Sequence, residues 1–230
     1  MKLVFATGNR GKLQEAAEIL GEGFALVTPA DMGLEEDIPE TGKTLAANSL
    51  LKAKYISDHL GADCFADDTG LEVEILGGAP GLHTARYAGE ARDPKANIAK
   101  LLTEMARKER EASLARAYGL RTVHATRCAR FVTVATLILD GEIHTFTGEM
   151  TGKIGIVPTG KGGFGYDPVF IPDWIPAEEP GAPQETPDAD RLVPNRGRLT
   201  CAQISEEAKN RISHRGKALR AMAEFLHSIL

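Results

Sequence analysis

Hydrophobic positions recur along this chain at two different spacings, and the switches between them mark its elements. Leu3 to Ala6 is a short apolar run and predicts a buried first strand. Beyond the turn residues Thr7-Gly8-Asn9-Arg10-Gly11, the positions Leu13, Ala16, Ala17 and Leu20 give a helical stripe. Ala46, Leu50, Ala53 and Leu60 predict a second helix. A further apolar run ends at Asp67-Asp68 and a Thr69-Gly70 turn. Past it, Leu71, Val73 and Ile75 alternate with Glu72 and Glu74 as on a half-buried strand. Gly77-Gly78-Ala79-Pro80-Gly81 then requires a tight, ordered loop.

Asp93 before Pro94 combines an N-cap with a first-turn proline and starts a helix whose inner face is Ile98, Leu101, Leu102 and Met105. Phe131 to Leu139 is apolar on both faces, the pattern of a central strand. Asp140-Gly141 is a hairpin turn, and Ile143 to Phe146 returns from it. Leu219, Met222, Phe225, Leu226 and Ile229 share one face of a last helix. Strands alternating with helices, plus a hairpin, predict an α/β fold with a mixed sheet rather than a purely parallel one.

One segment breaks the pattern. Residues 172–198 carry Pro172, Pro176, Pro180, Pro183, Pro187 and Pro194 among acids and polar residues. That composition predicts a surface loop inserted into a single domain spanning 1–230, and not a strand or helix. The length of 230 residues suits one large domain or two lobes sharing a sheet.

Charge and cysteine usage narrow the function classes. The formal net charge is −5, and no Lys/Arg run with interleaved aromatics appears, so polymeric nucleic acid is not an expected partner. Cys64, Cys128 and Cys201 lie far apart, which argues against a zinc site or a disulfide framework and suits a reducing compartment. No run of about 18 apolar residues exists, so no membrane span is expected and the cytoplasm is the default location.

Four segments carry candidate chemistry. Asp67 and Asp68 offer hard oxygen donors of the kind that hold magnesium, although acid pairs also serve as plain solvated turn formers. Thr7-Gly8-Asn9-Arg10-Gly11-Lys12 places backbone N–H groups and a lysine at a helix start, where phosphate oxygens bind, without the spacing of a P-loop. Glu40-Thr41-Gly42 leads into the helix carrying Asn48 and Lys52. Glu40 is there either a metal-reaching carboxylate or a first-turn acid complementing the helix dipole. In Gly162-Gly163-Phe164-Gly165-Tyr166-Asp167-Pro168, glycines flank an aromatic that suits stacking on a base or plugging the core. Ser213-His214-Arg215-Gly216 opens the last helix, with Lys209 upstream. These donors form an anion or carbonyl site, or simply a solvated helix end.

Taken in order, T-G-N-R-G-K at 7–12, E-T-G at 40–42, A-D-D-T-G-L at 66–71, G-G-A-P-G at 77–81, A-R-Y-A-G at 85–89, G-G-F-G-Y-D-P at 162–168 and I-S-H-R-G-K-A-L at 212–219 resemble the Ham1-like inosine triphosphate pyrophosphatase family. The resemblance covers nearly the whole chain. It implies a central twisted mixed sheet flanked by helices, with two lobes and an active site in the cleft between them. It implies a Mg2+-dependent hydrolase that converts inosine, deoxyinosine and xanthosine triphosphates to the monophosphate and pyrophosphate, acting as a homodimer.

By the same resemblance, Asp68 is the general base at the metal and Glu40 a second metal carboxylate. Thr7, Gly8, Asn9, Arg10, Gly11, Lys12, Lys52 and Thr69 hold phosphates. Phe164, Gly165, Tyr166 and Asp167 embrace base and ribose, and Lys209, His214 and Arg215 face the base. Leu45 and Ala47 stand where family members often carry Phe and Glu, which leaves the number of metal carboxylates open. Two rivals remain: a Maf-like pyrophosphatase for modified standard nucleotides, and a nucleotide sensor without turnover.

Overall fold

The first strand, β1 (Lys2–Phe5), sends Leu3 and Phe5 to one side and Val4 to the other, and that alternation sets which helices each side receives. The computed structural model describes residues 1–35, 38, 40–120, 126–180 and 191–229. After β1 come α1 (Arg10–Leu20), β2 (Ala25–Val27), α2 (Leu45–Leu60), β3 (Cys64–Val73), β4 (Pro80–Gly81) and α3 (Pro94–Ala117). The chain continues with β5 (Cys128–Leu139), β6 (Glu142–Ile154), β7 (Phe170–Pro172), β8 (Trp174–Pro176), β9 (Leu192–Pro194), α4 (Glu206–Ile212) and α5 (His214–Ile229).

The chain divides into two units, and β3, β5 and β6 each run on from one unit into the other. The first unit comprises Met1–Thr69, Val132–Glu149 and Ser213–Leu230. Its strands take the order β2-β1-β3-β5-β6, with β1 parallel to both β2 and β3. On one side Leu3, Phe5, Phe65, Leu137 and Leu139 pack with Ala16 and Leu20 of α1 and Leu219, Met222 and Leu226 of α5. On the other, Val4, Cys64, Ala66 and Ile138 pack with Ala53 and Ile56 of α2. Each fully buried Leu, Ile or Phe contributes about 1.5–3 kcal/mol, so these two layers fix the strand order firmly. The hairpin from β5 to β6 turns at Asp140 (φ 50°) and Gly141 (φ 81°), the paired positive angles of a type I′ turn.

The second unit, Gly70–Phe131 and Met150–Ile212, has its own core. Ile98, Leu101 and Met105 of α3 pack with Leu71, Phe131, Phe170, Ile175, Val193 and Ile212. Asp93 caps α3 through Lys95 N at 2.9 Å, as its sequence predicts. The helix runs on through Glu109 to Ala117.

Two expectations need correction. The acid pair does not end a strand: β3 continues through Asp67, Asp68, Thr69 and Gly70 to Val73, and Glu74–Leu76 is a 3-10 turn. Phe65 and Leu71 are buried on either side of the acids, so tertiary packing holds the polar stretch extended. Likewise, residues 172–198 are not wholly a loop. Within that segment β8 and β9 pair antiparallel, and Ile175 and Val193 enter the core. Backbone bonds join Asn195 N to Asp173 O and Ala177 N to Arg191 O, which places Trp174/Pro194 and Pro176/Leu192 at the non-hydrogen-bonded pairs. A proline there forfeits no ladder bond. Residues 181–190 of the segment lie outside the described residues.

Candidate active site

Because side chains alternate along β3, Asp67 and Asp68 point to opposite faces of the first unit. Asp68 shares the face of Cys64 and Ala66, under α2. There Asn48 Nδ2 donates to Asp68 Oδ2 at 3.1 Å, and the Lys52 ammonium lies 3.6 Å from Asp68 Oδ1 and 2.9 Å from Glu40 Oε1. The other half of the Asn48 amide accepts Gly42 N at 2.7 Å. A Cβ on Gly42 would stand 2.6 Å from that same oxygen, which explains the glycine of the E-T-G sequence. α2 begins at Leu45 with Thr44 as its cap and no acid in its first turn, so Glu40 is not a dipole-complementing residue. Lower on this face Ser49 Oγ bonds Ala66 O and Thr136, both at 2.9 Å.

The Asp68 side chain is 14% exposed. Burial pushes its carboxyl above the ordinary carboxylate value, against the opposing pull of Lys52 and the Asn48 bond; Glu40 and Asp67 add to the upward push. Burial alone would lower the Lys52 ammonium, but Asp68, Asp67 and Glu40 outweigh it and hold the group charged.

Asp67 faces α1 and α5 and is 1% exposed. Its two oxygens accept Lys12 Nζ at 2.9 and 3.0 Å, and Oδ2 also accepts Arg215 Nε at 3.0 Å. Arg215 reaches on to Glu15 of α1 at 2.8 Å. Burial would raise the Asp67 carboxyl, yet Lys12, Arg215 and Lys52 more than reverse this and hold it well below the usual carboxylate range. Asn9 caps α1, its Oδ1 accepting Gly11 N at 2.9 Å and Lys12 N at 3.3 Å, while Thr7 Oγ1 accepts Asn9 N. Arg10 opens the helix and is exposed, and Gly8 lies in the turn before it. Thr69 Oγ1 is 2.7 Å from Thr133 Oγ1.

In the second unit, Asp167 Oδ2 accepts both Phe164 N at 2.7 Å and Lys209 Nζ at 2.5 Å. This places the Lys209 ammonium 4.3 Å from the centre of the Phe164 ring, a cation–π contact, while the ring stays 57% exposed. Gly163 is required at φ 70°, since a Cβ there would come within 2.1 Å of the Asp167 carboxylate. Gly165, at φ 59°, turns the chain again. Tyr166 is 4% exposed, with its ring in the core and its hydroxyl donating to Thr84 O at 3.0 Å.

The structure therefore gathers Asp68, Glu40 and Lys52 in one cluster, and Lys12 and Arg215 with Asp67 in another, all in the first unit. Phe164, Asp167 and Lys209 form a third set in the second unit. His214 is buried in the first turn of α5, in the first unit. Sequence reasoning passed over Glu15 and gave no role to Asn48 or Ser49. A glutamate three residues past Lys12 on an amphipathic helix carries no signal of its own, because its partner Arg215 is 200 residues away.

An α/β protein with a buried acid–cation network beside a second, less compensated carboxylate is the class these observations define. The model of the Ham1 family matches residues 3–225, and the chain belongs to that family. A protein of Flavobacterium psychrophilum named dITP/XTP pyrophosphatase is 41% identical over 225 residues, covering 98% of both chains. One of Porphyromonas gingivalis with the same name is 42% identical over 225 residues, covering 98% of this chain and 97% of that one. Among solved structures, the Staphylococcus aureus Ham1 protein superposes with a TM-score of 0.76 at 30% identity, covering 100% of each chain.

Proposed function

We propose that this chain hydrolyses inosine, deoxyinosine and xanthosine triphosphates to the monophosphate and pyrophosphate. The observation that carries the reading is Asp68, a carboxylate whose proton affinity is raised by burial and whose surroundings leave it incompletely paired. The names of the relatives support the substrate class.

Asp68 and Glu40 both reach the single ammonium of Lys52, and a place that already gathers two hard oxygen donors around one cation fits magnesium. These two carboxylates are the residues that would hold it. When bound, magnesium supplies positive charge to the phosphate oxygens. Asp68 accepts a proton from the attacking water as that oxygen bonds the α-phosphorus. The bond from the α-phosphorus to the bridging oxygen breaks, and pyrophosphate leaves with the electron pair. Lys52 and Lys12 offer ammonium groups to the phosphates, and the N-terminal end of α1, with Thr7, Asn9 and Arg10, and the hydroxyl of Thr69 offer further donors.

Phe164 offers its exposed ring to a purine, and Lys209 suits a 6-oxo group better than a 6-amino group, since donor would meet donor. Arg215, engaged by Asp67 and Glu15, serves here to hold those acids in place. The same reading expects a cytoplasmic homodimer acting on free nucleotides, with no polymeric nucleic acid or membrane partner.

The test is pyrophosphate release from inosine triphosphate with magnesium. Binding without release would make the protein a sensor. Release from modified standard nucleotides but not from inosine triphosphate would make it Maf-like.

A further inference from the structure

The hairpin that the prolines disguise carries a second feature unrelated to Asp68. In the second unit a cavity of about 410 Å³ lies beside β7 and β9, and Lys153, Arg196 and Arg198 line it together with Asp173 and Asn195. Ligand pockets begin at roughly 300 Å³, so the space admits more than a water or a halide. Three cations meet one carboxylate here, in a chain whose formal net charge is −5. Among the described residues, none of the three cationic side chains makes an ion pair or side-chain hydrogen bond, in contrast to Lys12, Lys52, Lys209 and Arg215.

The backbone that presents the two arginines is firmly built. Asn195 Nδ2 donates to Pro172 O at 2.9 Å and to Leu199 O at 2.8 Å, while Asn195 Oδ1 accepts Leu199 N at 3.0 Å. Arg198 N closes the turn on Asn195 O at 3.2 Å. Within this turn the left-handed conformation falls on Arg198, at φ 54°, although Gly197 stands next to it. Glycine adopts that conformation freely and arginine does not, so the strain is borne by the residue whose side chain lines the cavity. Lys153 is fixed on the outer face of β6 opposite Ile171.

We propose that Lys153, Arg196 and Arg198 form an anion site within the second unit that takes a small phosphate-bearing ligand and shares no residue with the Asp68 cluster. Guanidinium forks match phosphate oxygens in pairs, and a lysine adds a point charge. The ligand is a free polyphosphate or a phosphate monoester; both present the same terminal oxygens.

The chain's single tryptophan gives a direct readout. Trp174 is 50% exposed, follows Asp173 in sequence and pairs with Pro194, and both of those neighbours line the cavity. The experiment titrates the full chain, in chelator and at fixed ionic strength, with inorganic pyrophosphate and separately with ribose 5-phosphate. Tryptophan emission and calorimetry follow the binding. The expected result is saturable binding of at least one of the two, and which one binds identifies the source of the phosphate.

Arg196→Ala/Arg198→Ala should weaken that binding at least about tenfold, the loss of a charge-assisted bond. Arg196→Lys/Arg198→Lys should keep part of it, with the melting temperature of both variants unchanged. Triphosphate turnover should stay within about twofold of the parent, because none of these residues belongs to the Asp68 machinery. Equal binding by parent and alanine variant, or displacement by chloride as effective as by pyrophosphate, would overturn the proposal. So would binding that appears only after residues 181–190 are replaced by a Gly/Ser linker. Since the readout is the difference between parent and arginine variants, taken without magnesium or turnover, its outcome is independent of whether the hydrolase reading holds.

Discussion

Asp67 accepts three bonds from Lys12 and Arg215 and is 1% exposed, whereas Asp68, the next residue, takes one side-chain bond from Asn48 with Lys52 at 3.6 Å. The residues have the same side chain and sit on the same strand. What separates them is the period-two alternation of β3, which hands one to α1 and α5 and the other to α2. On the first face cations saturate the carboxylate and lock it ionised. On the second, burial without full compensation raises its proton affinity, which is what a general base requires. On the function proposed above, neighbouring acids divide structural and chemical duty with no difference in side chain between them.

The sharpest test of this division is Asp68→Asn. Turnover should fall at least about a hundredfold while KM changes little. Near-parental turnover would remove Asp68 from the chemistry. Asp67→Asn should invert the pattern, with stability falling by about 3 kcal/mol because Lys12 and Arg215 lose a buried counter-charge. Urea unfolding measures it, and a change under about 1 kcal/mol would show that the cluster reorganises freely.

The pH dependence should carry opposite signs for the two residues. Asp67 has its folded value below the ordinary 3.8, so its stabilisation is present above that pH and is lost as pH falls towards the folded value. Asp68 has its folded value above 3.8, so its contribution is present below 3.8 and is lost as pH rises through the folded value. The urea-midpoint difference between parent and Asp67→Asn should thus shrink on going from pH 7 to pH 3, whereas that for Asp68→Asn should not. Parallel behaviour of the two variants would dissolve the comparison.

Base selection comes next in size. Lys209→Ala should lower kcat/KM for inosine triphosphate roughly tenfold or more relative to adenosine triphosphate, the worth of one charge-assisted bond. Arg215→Ala should lower both alike, because its guanidinium is occupied by Asp67 and Glu15. A selective loss with Arg215→Ala would return the base-reading role to that residue. The smallest effect is expected from replacing residues 181–190 with a short Gly/Ser linker, which should leave turnover within about tenfold. Wider excision is a different experiment, since Glu179 Oε1 accepts both Ser205 N at 3.2 Å and Ser205 Oγ at 2.6 Å, and Val193 lies in the core.

Much of this was legible in the sequence, for definite reasons. β5 announced itself because burial on both faces demands a near-continuous apolar run, interrupted here only by the small hydroxyls of Thr133 and Thr136, and α3 because Asp93-Pro94 is a local signal with a local cause. α2 was found from Ala46, Leu50, Ala53 and Leu60, but these residues do not define its buried face. Ala46 is exposed, while Asn48 and Ser49 are buried, because Asn48 serves Asp68 and Ser49 serves Ala66 and Thr136. Hydrophobic periodicity cannot find a buried face that is polar for the sake of a site. The residues of the Asp68 cluster were named from motifs, yet the separation of Asp67 from Asp68 needed the strand to be known as continuous. The Arg215–Glu15 contact required the fold itself.

The prolines of β8 and β9 have one more consequence. In an antiparallel pair, residues at non-hydrogen-bonded positions aim their backbone N–H groups outward, away from the partner strand. Pro176 and Pro194 occupy such positions, one on each strand, and have no N–H to offer. Each edge of this two-stranded ribbon is therefore short of a donor with which to recruit a further strand. A hairpin with the apolar Trp174 and Leu192 on its open face would otherwise be a template for edge-to-edge aggregation. The substitutions that would make it a more regular strand, Pro176→Val or Pro194→Thr, are those that would make the protein less soluble.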